Sequence, residues 1–284
     1  MSVGAYVNCA CYRRGKTAPF PLAEWKSRFR FDVEGVLGLD LPYEGYEREH
    51  DMIQQWMQSA CEHEDMEVIS KQISNWTGYL AFLQSLTQIG WRFFPTLQQE
   101  LPRDNSGFTS APHALKIIRE LDIFTRLVKH TRNAFLINTV DERIIQEYMV
   151  ATKGVFVLNQ AGGYRMGIDP KGFFIEHQSS DDADHWIEKF RAKRFEQRVF
   201  KRDETGKPLH VEFYCAETEA RFATDIPLIQ YETMGAGKLL LPQYPSAMHV
   251  ELRQMDAFHF AYILDPLRRV CHESVCTGNP IVWF

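Results

Sequence analysis

"CEHEDMEVISKQISNWTGY", residues 61–79, opens almost as a zinc hydrolase does. His63-Glu64 is followed by Glu67, where a metalloprotease helix would carry its second His. The stretch is either a metal site with one altered ligand or the acidic start of an ordinary helix. Its apolar residues favour the helix: Met66, Ile69, Ile73, Trp76, Leu80 and Leu83 are spaced alternately by three and four. This predicts one long helix, or two jointed near Gly78, ending at Gly90 as C-cap. On such a helix Glu67 shares a solvated face with Lys71 and Ser74. His63 then falls at or before the N-terminus, where Glu62, Glu64 and Asp65 suit the positive end of the helix dipole. A metalloprotease helix needs two imidazoles on one face, and one is missing, so the expectation is a packed helix that coordinates no ion.

Working outward, the period is helical from about residue 47 to 125. Ile53, Trp56, Met57 and Ala60 form one stripe. A further helix starts after Ser110, tolerates Pro112 in its first turn and turns Leu115, Ile118 and Leu121 inward. Before this block, Val3, Ala5, Val7, Cys9 and Cys11 alternate with Gly4, Tyr6, Asn8, Ala10 and Tyr12, a strand with one apolar face. A second short strand is expected in "VLGLDL", 36–41.

Beyond residue 132 the pattern is β. "AFLIN", "RIIQEYM", "GVFVLN", "GFFIEH" and "LHVEFYC" are separated by turn chemistry such as Ala-Gly-Gly and Asp-Pro-Lys-Gly. "DPLRRVCHES" closes the chain as a short helix, with Asp265 as cap and Pro266 at its first position. Helices in one block and strands in another predict an α+β fold: an N-terminal strand and a helical block packed with an antiparallel, β-rich C-terminal half and a short terminal helix. A single domain, 1–284, is expected, divisible into 1–130 and 131–284.

The 284 residues are 45% hydrophobic and 24% charged, enough to bury a core without staples. A net charge of −5 disfavours nucleic acid as a partner. No stretch reaches the roughly 18 apolar residues of a spanning helix, and "MSVGAYVNCACYRRG" does not read as a signal peptide. The six cysteines then read as reduced thiols in the cytoplasm. Neither a membrane partner nor a cofactor is expected.

The alternative metal set joins Cys9 and Cys11 to Cys61 and His63. Cys-x-Cys on a strand sets two Cα atoms about 6.8 Å apart, workable for two thiolates on one ion. The two cysteines also continue the apolar face, and zinc pairs more often read Cys-x₂₋₄-Cys. With Glu64 as base, this set would make a zinc-dependent hydrolase. Cys271, His272 and Cys276 raise a weaker nucleophile reading, since on a helix the first two diverge by about 100°. "MGAGKL" at 234–239 lacks the magnesium-binding hydroxyl of a phosphate loop, and "AGGYRMGID" has the wrong glycine spacing for a dinucleotide site.

Charge is more informative. From Asp40 to Glu67 there are nine acidic residues against Arg48 alone, interleaved with Tyr43, Tyr46 and His50. "FRAKRFEQRVFKR", 190–202, carries six basic residues against Glu196. Both patterns suit solvated faces; the sharper reading is that the acidic segment binds a basic partner.

The pieces "CACYRRG", "ACEHEDM", "NWTGYLAF", "FPTLQQELPRDNSG", "FRAKRFEQ" and "TGNPIVWF" together resemble a family of uncharacterised bacterial proteins, over nearly the whole chain. The resemblance implies an immunity protein of a polymorphic-toxin system and brings no catalytic residues with it. On that reading a basic protein toxin is the partner, and Glu44, Glu47, Glu49, Asp51, Glu62, Glu64 and Asp65 bind it. A third expectation is a small-ligand module with Trp76, Trp91 and β-sheet aromatics around a pocket.

Overall fold

A strand and a helix, not one helix, occupy the opening segment. Glu67–Asn75 is extended and Trp76–Ile89 is helical. Three features of the sequence favour the extended form. Val68, Ile69 and Ile73 are β-branched, and the serines compete with helical backbone bonding. Asn75 is an N-cap, its side chain accepting from Gly78 N at 2.7 Å. Asp65 and Met66 also turn left-handed, at φ 50° and 57°, so no α-helix runs through them and only a short 3₁₀ turn, Glu64–Met66, precedes the strand.

The computed structural model describes residues 2–32, 35–104, 106–148, 157–161, 163–180, 185–234 and 239–284. The chain forms two compact units, one of 1–129 with 256–284 and one of 130–255. Helices and antiparallel sheets are segregated along the chain, an α+β architecture.

The first unit begins with β1 (Ser2–Asn8), β2 (Phe29–Phe31), β3 (Leu37–Leu39) and α1 (Glu47–Met57). It continues with β4 (Glu67–Asn75), α2 (Trp76–Ile89), α3 (Pro95–Glu100), β5 (Phe108–Thr109) and α4 (Ala111–Leu127). The second unit holds β6 (Arg132–Asn138), β7 (Ile144–Glu147), β8 (Val157–Ala161), β9 (Tyr164–Asp169), β10 (Gly172–Gln178) and β11 (Trp186–Ala192). It is completed by β12 (Arg194–Arg202), β13 (Pro208–Tyr214), β14 (Arg221–Thr224), β15 (Gln230–Met234), β16 (Leu239–Gln243) and β17 (Ala247–Gln254). Helix α5 (Ala261–Thr277) and β18 (Ile281–Trp283) return to the first unit.

In the first unit the sheet runs β4-β1-β18-β5, all antiparallel. Val3, Ala5 and Val7 of β1 are fully buried at its centre. Helices α4 and α5 pack together, and the rings of Phe82, Phe124 and Phe260 meet edge-on, with Phe82–Phe124 centroids 5.0 Å apart. A separate small core gathers Phe29, Leu37, Leu39, Ile53, Trp56 and Met66 with Cys9 and Cys11. It is built from helix α1, two three-residue strands and loops.

Three local readings need correction. β1 ends at Asn8; Cys9 and Cys11 lie in the turn beyond it, closed by Lys16 N to Cys11 O at 2.9 Å. The buried face of α4 is Ala114, Ile117, Leu121 and Phe124; Leu115 is 41% exposed, so the stripe is rotated by about one residue. Helix α5 begins at Ala261, ahead of Asp265, so Pro266 lies inside it; only one backbone bond near the start of the helix is forgone.

In the second unit one sheet runs β14-β13-β12-β17-β6-β7 and another β11-β10-β9-β8. Phe173 and Phe190 of the second sheet meet Phe195 and Phe213 of the first in one core, with Phe173 and Phe195 stacked at 4.5 Å. The "AFLIN", "RIIQEYM", "GFFIEH" and "LHVEFYC" runs are β6, β7, β10 and β13. Most of "MGAGKL", Gly162 and the start of "GVFVLN" lie outside the described residues.

Candidate metal centre

Two turns, each carrying two donors one residue apart, face each other in the first unit. The first leaves β1 and holds Cys9 and Cys11. The second follows α1 and holds Cys61 and His63. Their backbones are tied by Cys9 N to Met66 O and Ala18 N to Ala60 O, both at 2.6 Å. The left-handed Asp65 and Met66 reverse the second segment, bringing it back into β4 beside β1.

The four donor atoms lie within 4.8 Å of one another. Cys9 Sγ and Cys61 Sγ are 3.7 Å apart, far beyond a disulfide bond, and all six cysteines are free thiols. His63 Nδ1 stands 3.4 Å from Cys11 Sγ and 3.7 Å from Cys61 Sγ. Cys9 and Cys11 are buried; Cys61 and His63 are half-buried. Burial above all pushes the Cys9 thiol up to about 12; a backbone hydrogen bond from Cys11 opposes the rise, and the Cys11 and Cys61 side chains add to it. The Cys11 thiol is raised by the same main cause. Such thiols resist ionising beside one another unless a cation takes up the charge.

A polar hub fixes the first turn from behind. Asn279, fully buried, donates from Nδ2 to Asn8 O at 2.7 Å and to Cys9 O at 3.0 Å. Its Oδ1 accepts from Arg13 at 2.6 Å, and Ser274 Oγ donates to its carbonyl at 2.6 Å. Sequence reasoning quoted the terminal TGNP segment without giving Asn279 a role. No local pattern joins it to residues 271 positions earlier.

The other candidates are dispersed. Glu44, Glu47, Asp51, Glu62, Glu64 and Asp65 are exposed and Glu49 is half-buried. Glu47 accepts from Gly45 N at 2.9 Å, and backbone hydrogen bonding holds its carboxyl below the usual range. Glu67, at the head of β4, is raised, chiefly by burial and in spite of a hydrogen bond from Ser70. Cys271 is buried in α5, its thiol pushed up to about 12 by burial, whereas Cys276 is exposed with its sulfur 3.6 Å from His272 Nδ1. The basic run covers the end of β11 and the whole of β12, which belong to different sheets. Arg191 pairs with Asp169 at 2.9 Å and with Glu188 at 2.6 Å, and Arg198 with Glu196 at 2.8 Å. Two of the run's six basic residues, Arg191 and Arg198, are thus answered by nearby carboxylates.

Comparison of the chain with protein-family models, curated proteins and solved structures finds no match in any of the three. No helix among the described residues is long and apolar enough to cross a membrane.

Proposed function

We propose that this chain is a zinc-binding protein, in which Cys9, Cys11, Cys61 and His63 hold one ion in a closed, structural site. The observation that carries the reading is the spacing of the donors. A tetrahedral zinc with bonds of about 2.3 Å to sulfur and 2.0–2.1 Å to nitrogen requires edges of about 3.8 Å between sulfurs and 3.5 Å between sulfur and nitrogen. Three of the six separations, 3.7, 3.4 and 3.7 Å, are close to those edges, and all six lie within 4.8 Å. Three thiolates and an imidazole are also the donor chemistry zinc prefers.

Four protein donors fill the tetrahedron, so the ion joins two turns 52 residues apart and staples the small core around them. A hydrolase would need one position open to water, and Glu64, its candidate base, is an exposed residue beside a set already complete. The immunity reading, with a basic toxin on the acidic segment, is supported by charge and exposure. A solvated surface shares both properties, and the four-donor set is the more specific signal.

The test is elemental analysis of untagged protein purified without chelators, followed by cobalt substitution. The expected result is one zinc per chain. Cobalt in its place gives the intense thiolate-to-metal band of a tetrahedral site, lost in Cys11→Ala. Absence of zinc, with no tight uptake on titration, overturns the reading. Glu64→Gln leaves zinc content unchanged.

A further inference from the structure

Beside the donor turns lies a cavity of about 520 Å³, in the size range of small-molecule sites. Tyr12, Phe20, Phe29, Phe31 and Trp56 line it. The rings hold one another in place: Phe20 meets Phe29 at 4.9 Å and Trp56 at 5.5 Å, both edge-on. Tyr12 contacts Phe31 at 6.0 Å and Trp56 at 6.2 Å. Trp56 is fixed further by its Nε1 donating to Ala18 O at 3.2 Å.

An aromatic box of this kind suits a planar apolar body, and its charge decides which one. Boxes that take ammonium ions use ring faces without opposing positive charge. Here the charged residues among the described lining are Arg13 and Lys26, and no acidic side chain is among them. Arg13 is pre-positioned by Asn279 and lies 4.2 Å over the Phe31 ring. Two cations at an aromatic wall disfavour a cationic guest and orient an anionic one.

We propose that this cavity binds a small planar aromatic carboxylate, its rings among Tyr12, Phe20, Phe29, Phe31 and Trp56 and its carboxylate toward Arg13 and Lys26. None of these residues is a donor of the metal centre, so the site goes beyond the zinc reading. The probes are 2-naphthoate and its cationic analogue 2-naphthylmethylammonium. Each is titrated into the full chain, with calorimetry and tryptophan fluorescence as readouts and zinc content measured on the same sample. 2-Naphthoate binds saturably, one per chain, and the ammonium analogue at least about tenfold more weakly. Lys26→Glu, a change at an exposed position, weakens 2-naphthoate about tenfold. The same reversal at the exposed Lys116, which is not in the cavity lining, does not. Equal binding of acid and amine, wild-type affinity in Lys26→Glu, or no saturable binding by folded protein each overturns the proposal. A folded sample that lacks zinc, takes none up tightly on titration and still binds 2-naphthoate overturns the metal reading and supports this one.

Discussion

Glu120 is a buried carboxylate whose two oxygens both serve backbone N–H groups. Thr96 N donates to Oε1 at 2.9 Å and Leu97 N to Oε2 at 2.8 Å. Helix α3 has no side-chain cap of its own, so a residue of α4 caps it from a distance. Glu120→Gln offers one oxygen where two are needed and turns an amide toward the second N–H. It lowers stability by about 1–3 kcal/mol, read from urea midpoints. Glu67 has the opposite character. Its folded carboxyl is raised by burial, so the unfolded chain ionises first. The residue contributes nothing below the unfolded carboxyl range and costs stability above its folded value. Glu67→Gln therefore stabilises the protein at pH 7, and the gain disappears at pH values below the ordinary glutamate range. Paired denaturation curves at the two pH values check this.

At the scale of elements, the start of α2 is pressed against α5. A Cβ on Gly78 would stand 2.7 Å from Ser74 Oγ and 2.7 Å from the Tyr262 ring, whose hydroxyl donates to Gly78 O at 2.8 Å. Gly78→Ala gains helix propensity yet forces the ring away. The expected net effect is destabilisation by about 1–3 kcal/mol, measured by thermal unfolding. The segment after α5 acts on the donor turn through Asn279. Asn279→Ala strips the Asn8 and Cys9 carbonyls of their donor and weakens zinc affinity about 10–100-fold in a competition titration with a chromogenic chelator. The elements differ in how plainly the sequence announces them. Val211, Phe213 and Cys215 alternate cleanly because β13 packs one face on a core, and that strand was legible, although Leu209 at its start is 39% exposed. β4 was not: it lies at a sheet edge and its register with β1 shifts twice. Its apolar residues consequently fall at helical spacings by accident. The donors themselves were legible as Cys-x-Cys and Cys-x-His. Their convergence was not, because it depends on the left-handed pair at Asp65 and Met66 and on bonds from residue 279.

For the whole molecule, the division into two units makes the effect of the metal local. Zinc at a thousandfold excess over its dissociation constant stabilises the state that binds it by about 4 kcal/mol. Chelation is expected to lower the unfolding temperature of the unit of residues 1–129 and 256–284 while leaving that of 130–255 in place. Hydrogen exchange followed by peptide separates the two: amides of β1 and β4 lose protection, and amides of β10 and β13 keep theirs. The order of the first sheet has a further consequence, for biosynthesis. β18 sits between β1 and β5, so during synthesis β1 waits for a strand that follows the whole of the 130–255 unit. At roughly 5–20 residues per second, the 130–255 unit has time to form while its neighbour is still open. The nascent chain thus leaves Val3, Ala5 and Val7 without their final partner strand until translation has passed Trp283.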